Sequence, residues 1–216
     1  MIRSARVHGA SVSSITFDQT GSKVYTASWE QAHDVHTESR DRSLQCIDVQ
    51  TGDAVPVLPG DALTGPLACI GDTLVSGTRD STVVVCSPDS GGPLLALRRS
   101  PSGLSAIFGN RMILVVGSQS AELQAWVHST IIVFSTATGE SGRVTGLCAS
   151  PDGLSIYAIR GKNVTCWGTA ACKMECGLLD GHPKTINALS LSSDGKTLCT
   201  GGNDGTVILW DVSQLE

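Results

Sequence analysis

Three cysteines and a histidine, Cys166, Cys172, Cys176 and His182, lie close together in a chain of 216 residues. Three thiolates and an imidazole are a legitimate zinc donor set. Their spacings of six, four and six lack the close two-residue pairs of common zinc motifs. Reduced structural thiols are the plainer reading, and no metal is assigned. A second polar cluster, His33, Asp34, His36, Glu38 and Arg40, sits in the run EQAHDVHTESR. Two imidazoles on a loop do not complete a tetrahedral site. Catalytic machinery is not legible either. No Gly-rich phosphate loop leads from a strand into a helix, and GDTLVSG and GNDGT read as hairpin turns rather than nucleophile elbows. No catalytic residue and no cofactor is assigned, and the expectation is a protein that is not an enzyme.

Composition points to the elements that hold these residues. The chain is 41% hydrophobic and 16% charged, enough to build a core. With 24 glycines and 4% aromatics, it reads as many short strands joined by turns. A formal net charge of −5 argues against a nucleic-acid binder that relies on a general basic field. The eight cysteines mostly sit in apolar runs such as TVVVCS, TGLCAS and KTLCTGG, where Cys acts as a small hydrophobe. That usage fits a reducing compartment, cytoplasmic or nuclear. The sequon Asn163-Val164-Thr165 is then not a glycosylation site. MIRSARVHGA has no apolar stretch of the secretory kind, and no run reaches the roughly 18 residues of a membrane helix.

Repetition organises the chain. Taking Trp210 as an anchor, Asp204 lies six residues before it and Gly201 nine before it. The same frame places Trp167 after Gly161 and Ala158, Trp126 after Ser120 and Gly117, and Cys86 after Asp80 and Gly77. Ile47 follows Asp41 by six, with Ala27 as its small residue once an insertion is skipped. Each frame is the end of one apolar run, a polar turn and the next apolar run, the signature of a hairpin. A further strand precedes each hairpin, as in TINALSLSSDGKTLCT and VTGLCASPDGLSIYAI. These first strands start near Val12, Leu67, Leu104, Val144 and Ile186, and three of the four gaps are near the period of a four-stranded propeller blade, roughly 40–45 residues. AVPVLP, LLALRR, TIIVFS and CGLLDGH fill the fourth-strand places, with STIIVFSTATGE also readable as a third strand. The fold class expected is therefore all-β, a β-propeller of four-stranded antiparallel blades with five repeats visible in one domain over residues 1–216.

Gly181-His182, Ser193-Asp194-Gly195, Asp204 and Trp210-Asp211 resemble a complete repeat of the WD-repeat family. The resemblance implies a propeller in which a loop His, a strand Ser or Thr, a turn Asp and a strand Trp form a hydrogen-bonded tetrad. Carried over, these are His182, Thr200, Asp204 and Trp210. The first unit keeps His8, Thr26 and Asp41 with Ile47 for Trp, and the second keeps Ser76 and Asp80 with Cys86 for Trp. The third has Trp126 without the Asp, and the fourth has Trp167 with Gly161 for the Asp.

Propellers have roughly four to eight blades. Five repeats leave two arrangements of the ring open, besides a truncation of a longer chain. In one the ring closes, with an N-terminal strand over residues 2–7 completing the last blade. In the other it is open, and a partner chain completes it. The insertion Glu30–Arg40 lies where the family's partner-binding loops lie, so His33, Asp34, His36, Glu38 and Arg40 form either a partner-recognition loop or a solvated insertion. The resemblance implies a non-catalytic protein–protein interaction scaffold within a larger intracellular complex. The alternative is a reader of a peptide motif or RNA, for which Arg98-Arg99 gives a small basic spot.

Overall fold

The computed structural model describes residues 6–9, 11–28, 44–58, 63–71, 73–78, 82–87, 92–97, 104–110, 112–119, 123–127, 130–134, 143–169 and 173–213. These residues form strands and turns, in five antiparallel sheets. The chain divides into two compact units, Met1–Pro101 and Ser102–Glu216.

The first unit holds two sheets. One has the order β1 (Val12–Phe17), β2 (Lys23–Ser28), β3 (Leu44–Asp48), β4 (Ala54–Leu58). The other has β5 (Leu63–Ile70), β6 (Thr73–Thr78), β7 (Val83–Ser87), β8 (Gly92–Leu97). The second unit holds three. The third sheet is β9 (Leu104–Gly109), β10 (Ile113–Ser118), β11 (Leu123–Val127), β12 (Thr130–Phe134). The fourth is β13 (Val144–Ala149), β14 (Ser155–Arg160), β15 (Asn163–Gly168), β16 (Lys173–Asp180). The fifth has three strands among the described residues: β17 (Ile186–Leu191), β18 (Thr197–Gly202), β19 (Val207–Asp211). Each sheet is a meander, with sequence neighbours as spatial neighbours.

Turn chemistry explains the first hairpin of the first, fourth and fifth sheets. Asp18, Ser150 and Ser192 each accept a backbone hydrogen bond from a glycine three residues on, Gly21, Gly153 and Gly195. Those glycines have φ of 72°, 75° and 75°, a left-handed conformation that a Cβ disfavours. Asp152 and Asp194 accept from the backbone N–H groups of Leu154 and Lys196, which pins the turn from its other side.

Packing differs between strands for a physical reason. β10 and β14 are buried along their whole length, and the third and fifth sheets cover the two faces of β14. One core cluster joins the third and fourth sheets through Ile113, Val115, Leu123 and Ala125 against Val144, Leu147, Ile156 and Trp167. A second joins the fourth and fifth through Tyr157, Ile159, Val164 and Cys166 against Ile186, Leu198 and Val212. A third joins the first and second through Tyr25, Ala27 and Leu44 against Leu67, Leu74 and Cys86. The approach is close. A Cβ on Gly117 would lie 2.6 Å from a methyl of Val144, and one on Gly146 would lie 2.7 Å from a methyl of Leu189.

Two details depart from the repeat frame. In the fourth sheet Ile159, not Ala158, faces Val164 as Gly201 faces Val207. The cause is a shorter turn: Arg160 pairs directly with Asn163 across Gly161 and Lys162, with Gly161 at φ 58°. The fourth strands β8 and β16 also start earlier than LLALRR and CGLLDGH, at Gly92 and Lys173. Thr130–Phe134 pairs with β11 as the outermost strand of its sheet. Of the N-terminal stretch 2–7, residues 2–5 lie outside the described residues, and Arg6 and Val7 lie outside any strand.

Candidate functional site

The structure brings together His182, Thr200, Asp204 and Trp210 in the fifth sheet. His182 precedes β17, Thr200 lies on β18, Asp204 in the β18–β19 turn and Trp210 on β19. Trp210 Nε1–H donates to Thr200 Oγ at 2.9 Å. Thr200 Oγ and His182 Nε2 are 2.9 Å apart, and His182 Nδ1 and Asp204 Oδ2 are 2.8 Å apart. A consistent assignment follows from donor and acceptor capacity. A carboxylate accepts, so Nδ1 carries the proton; Nε2 then accepts from the Thr200 hydroxyl, which in turn accepts from the indole. Each hydrogen along the chain, indole N–H, hydroxyl O–H and imidazole N–H, then has an acceptor.

Neighbours shape this chain. Thr206 donates its backbone N–H to Asp204 Oδ1 at 2.7 Å, and its hydroxyl also donates to that oxygen. The Thr206 hydroxyl bond is the largest cause that holds the Asp204 carboxyl down at about 2, with the Thr206 backbone and His182 adding to it against partial burial. Two glycines make room. A Cβ on Gly202 would lie 2.6 Å from His182 Nδ1 and 2.9 Å from Asp204 Oδ2. A Cβ on Gly181 would lie 2.7 Å from the Trp210 ring. The Gly-His pair is thus a packing requirement as well as a sequence signature.

The connectivity Asp–His–hydroxyl is also that of an acyl-transfer triad. Here the hydroxyl is closed off. Thr200 and His182 are buried, and the Thr200 oxygen is held by Trp210 on one side and His182 on the other. A nucleophile needs an open approach to its oxygen, and this one has none among the described residues.

The other sheets keep parts of the set. In the first, His8 Nε2 and Thr26 Oγ are 2.8 Å apart and buried, while Asp41 lies outside the described residues. In the second, Cys86 stands at the Trp position, facing Leu74 as Trp210 faces Leu198, and its thiol points to the Leu74 carbonyl at 3.6 Å. In the third, Val116 takes the Thr200 position, and the buried Trp126 Nε1 has no hydrogen-bond partner among the described residues. In the fourth, Ala158 takes that position, and Trp167 Nε1 donates instead to Thr165 Oγ at 3.2 Å. Arg160 occupies the backbone position of Gly202, opposite Val144 as Gly202 is opposite Ile186. Its guanidinium lies 5.7 Å from the centre of the Trp167 ring, a cation–π distance.

Sequence reading missed Thr165, Thr206, Gly202 and Arg160. Thr165 was findable, because it lies two residues before Trp167 on one strand and so shares its face. The loop residues His33, Asp34, His36, Glu38 and Arg40 lie outside the described residues, as does Cys172 of the cysteine set. His182 of that set is committed to Thr200 and Asp204. Among the described residues no group of three or more His, Cys, Asp or Glu is arranged to hold a metal ion, and no helix is long and apolar enough to cross a membrane.

Repeated four-stranded meanders packed face to face, with this polar chain across the fifth, define blades of a β-propeller. The family described as WD domain, G-beta repeat, matches residues 173–211, the last blade and the strand before it. The guanine nucleotide-binding protein subunit beta of Arabidopsis thaliana is 27% identical over 202 residues, 84% of this chain and 53% of its own length. The small ribosomal subunit protein RACK1y of Oryza sativa is 33% identical over 79 residues, 35% of this chain and 23% of its own length. The target of rapamycin complex subunit wat1 of Schizosaccharomyces pombe is 28% identical over 102 residues, 47% of this chain and 32% of its own length. Among solved structures, the computationally designed Ika8 protein superposes with a TM-score of 0.71 at 21% identity, over 97% of this chain and 61% of that one. Residues 173–211 thus match a WD repeat, and the chain as a whole is similar to the relatives above. It spans about half the length of the Arabidopsis relative.

Proposed function

We propose that this chain is a non-catalytic interaction scaffold, a subunit of an intracellular complex in the cytoplasm or nucleus. Its partners on this reading are other proteins. The observation that carries it is the closed Trp210–Thr200–His182–Asp204 chain. His182, Asp204 and Thr200, which could have done proton chemistry, spend their hydrogen-bonding capacity on holding a blade together. What is left to the solvent is a framework that presents loops and faces, and such sites serve binding. The relatives support the same reading, since two of them bear names of complex subunits, a guanine nucleotide-binding protein subunit and a target of rapamycin complex subunit. Fold alone does not fix function, so the test is direct. Affinity purification of the tagged chain with mass spectrometry, with and without ribonuclease, should recover a constant set of proteins that withstands the nuclease. Release of that set by the nuclease would favour the RNA-reading alternative, and recovery of the chain by itself would contradict the scaffold.

A further inference from the structure

The cysteines of the fourth blade have no part in the hydrogen-bonded chain, and strand pairing gives two of them a relation that the sequence does not show. Cys166 on β15 stands directly opposite Cys176 on β16. Facing residues of an antiparallel pair lie on the same side of the sheet, with Cα atoms about 4.5–5.5 Å apart. A disulfide spans Cα separations of about 4.4–6.8 Å. The pair therefore meets the backbone requirement for a cross-strand bond. The ladder shifts register on each side of Cys166. Such irregularities bend and twist a strand locally, so the pair is not held to flat-ladder geometry.

The other described cysteines of this unit do not meet that requirement. Cys148 on β13 is in the same row, but β14 stands between, through the pairs Cys148–Tyr157 and Tyr157–Cys166. Two strand spacings are about 9–10 Å, beyond the reach of a disulfide. Cys199 follows Leu198, the residue that meets the fourth blade, and so lies on the other face of the fifth sheet. Cys166 itself is a free thiol and fully buried. Access to it comes from the place of β16, the outermost strand of its sheet, which among the described residues pairs with β15 alone. An edge strand opens locally at a cost below that of global unfolding.

We propose that Cys166 and Cys176 are an oxidant-responsive pair: a peroxide closes them into a disulfide that ties β16 to β15, and a thiol reductant reopens it. When β16 opens, one thiolate attacks an oxygen of hydrogen peroxide. An S–O bond forms, the O–O bond breaks, and the departing hydroxide takes up a proton to leave as water. The second thiolate then attacks that sulfur. The S–S bond forms, the S–O bond breaks, and a second water leaves. The two sulfurs give up two electrons in all, and the peroxide takes them. In the reduced chain β16 is held by its ladder alone; in the oxidised chain a covalent bond fixes it. The oxidation state thus sets whether one edge of the fourth blade opens, which goes beyond the scaffold reading and does not depend on it.

The experiment treats the full chain with hydrogen peroxide, alkylates the remaining thiols after denaturation, and maps the tryptic peptides by mass spectrometry. Cleavage after Lys162 and Lys173 puts Cys166 and Cys172 on one peptide and Cys176 on the next. A Cys172→Ser chain is therefore run beside the parent. Both should lose the alkylatable thiols of Cys166 and Cys176 together, gain one linked peptide pair, and recover both thiols with dithiothreitol. Cys148 is the internal control, since burial pushes its thiol up to about 12 and no cysteine faces it. It should stay alkylatable. Amide hydrogen exchange over Lys173–Asp180 should slow in the oxidised chain and return on reduction. Cys166→Ser should abolish the linked pair, and where that variant does not fold, the Cys172→Ser chain decides. A link that disappears with Cys172→Ser overturns the proposal. So does a peroxide-treated chain in which Cys166 and Cys176 stay reduced, or a linked chain whose exchange over β16 is unchanged.

Discussion

The fourth and fifth blades solve the same problem with different residues. Both bury a tryptophan indole against a second strand, and both must pair its N–H. The fifth uses a hydroxyl on the neighbouring strand, Thr200, and extends the chain through His182 to Asp204. The fourth has Ala158 at that place, uses Thr165 on the tryptophan's own strand, and covers the ring with Arg160. The difference teaches that the requirement is a satisfied indole, not a particular set of four residues. The third blade shows the requirement unmet, with Trp126 Nε1 buried and unpaired among the described residues. The two blades also differ in surroundings. The fourth is covered on both faces, while the fifth exposes Val207 and Leu209.

The comparison can be broken at several points. The largest effect is expected from Trp167→Ala and Trp210→Ala, each costing about 3–5 kcal/mol, with the more deeply buried Trp167 at the upper end. Urea unfolding curves check both, and a curve unmoved by Trp210→Ala would undo the role given to the fifth blade's chain. Thr200→Val should come next. It leaves both the indole N–H and His182 Nε2 without their partner, a loss of about 2–3 kcal/mol, whereas Thr165→Val strands one N–H and should cost about 1 kcal/mol. Equal losses would mean that the two hydroxyls do the same work.

A gain sharpens the point. Val116→Thr should place a hydroxyl where the third blade lacks one and pair Trp126 Nε1, for a gain of about 1 kcal/mol in the same measurement. Destabilisation there would show that the third blade's indole is already served.

The smallest effect is in pH. The Asp204 carboxyl is held at about 2, below its unfolded range near 4. Its contribution is therefore complete above about pH 4 and lost as pH falls through 4 towards 2. Asp204→Asn should flatten the acid limb of the stability profile without abolishing it, because Asp18, Asp152, Asp194 and Asp211 are depressed by turn hydrogen bonds as well. An unchanged acid limb would remove Asp204 from the chain's energetics.

Much of this was legible in the sequence, for identifiable reasons. The turns that need a left-handed glycine, Ser-Pro-Asp-Gly and Ser-Ser-Asp-Gly, are local chemistry and could be read directly. Alternation and spacing located the five first strands, since a strand's apolar face repeats every second residue. The register of the fourth blade was not legible. Its turn is one residue shorter, and a shorter turn beside a small residue, Ala158, looks like the common frame until pairing is known. Arg160 was hidden for another reason. A buried arginine over a tryptophan is a contact across strands, and nothing in the local sequence marks it. The exposure of Ile15 and Leu209 was equally hidden, because each alternates with its neighbours as a core residue does.

The hydrogen bond from the Trp210 indole to the Thr200 hydroxyl makes the two side chains one structural element. A double-mutant cycle of Thr200→Val and Trp210→Phe, read by equilibrium unfolding, tests it most directly. The expected coupling energy is about 1 kcal/mol, with the second substitution costing less once the first is made. Strictly additive losses would contradict it.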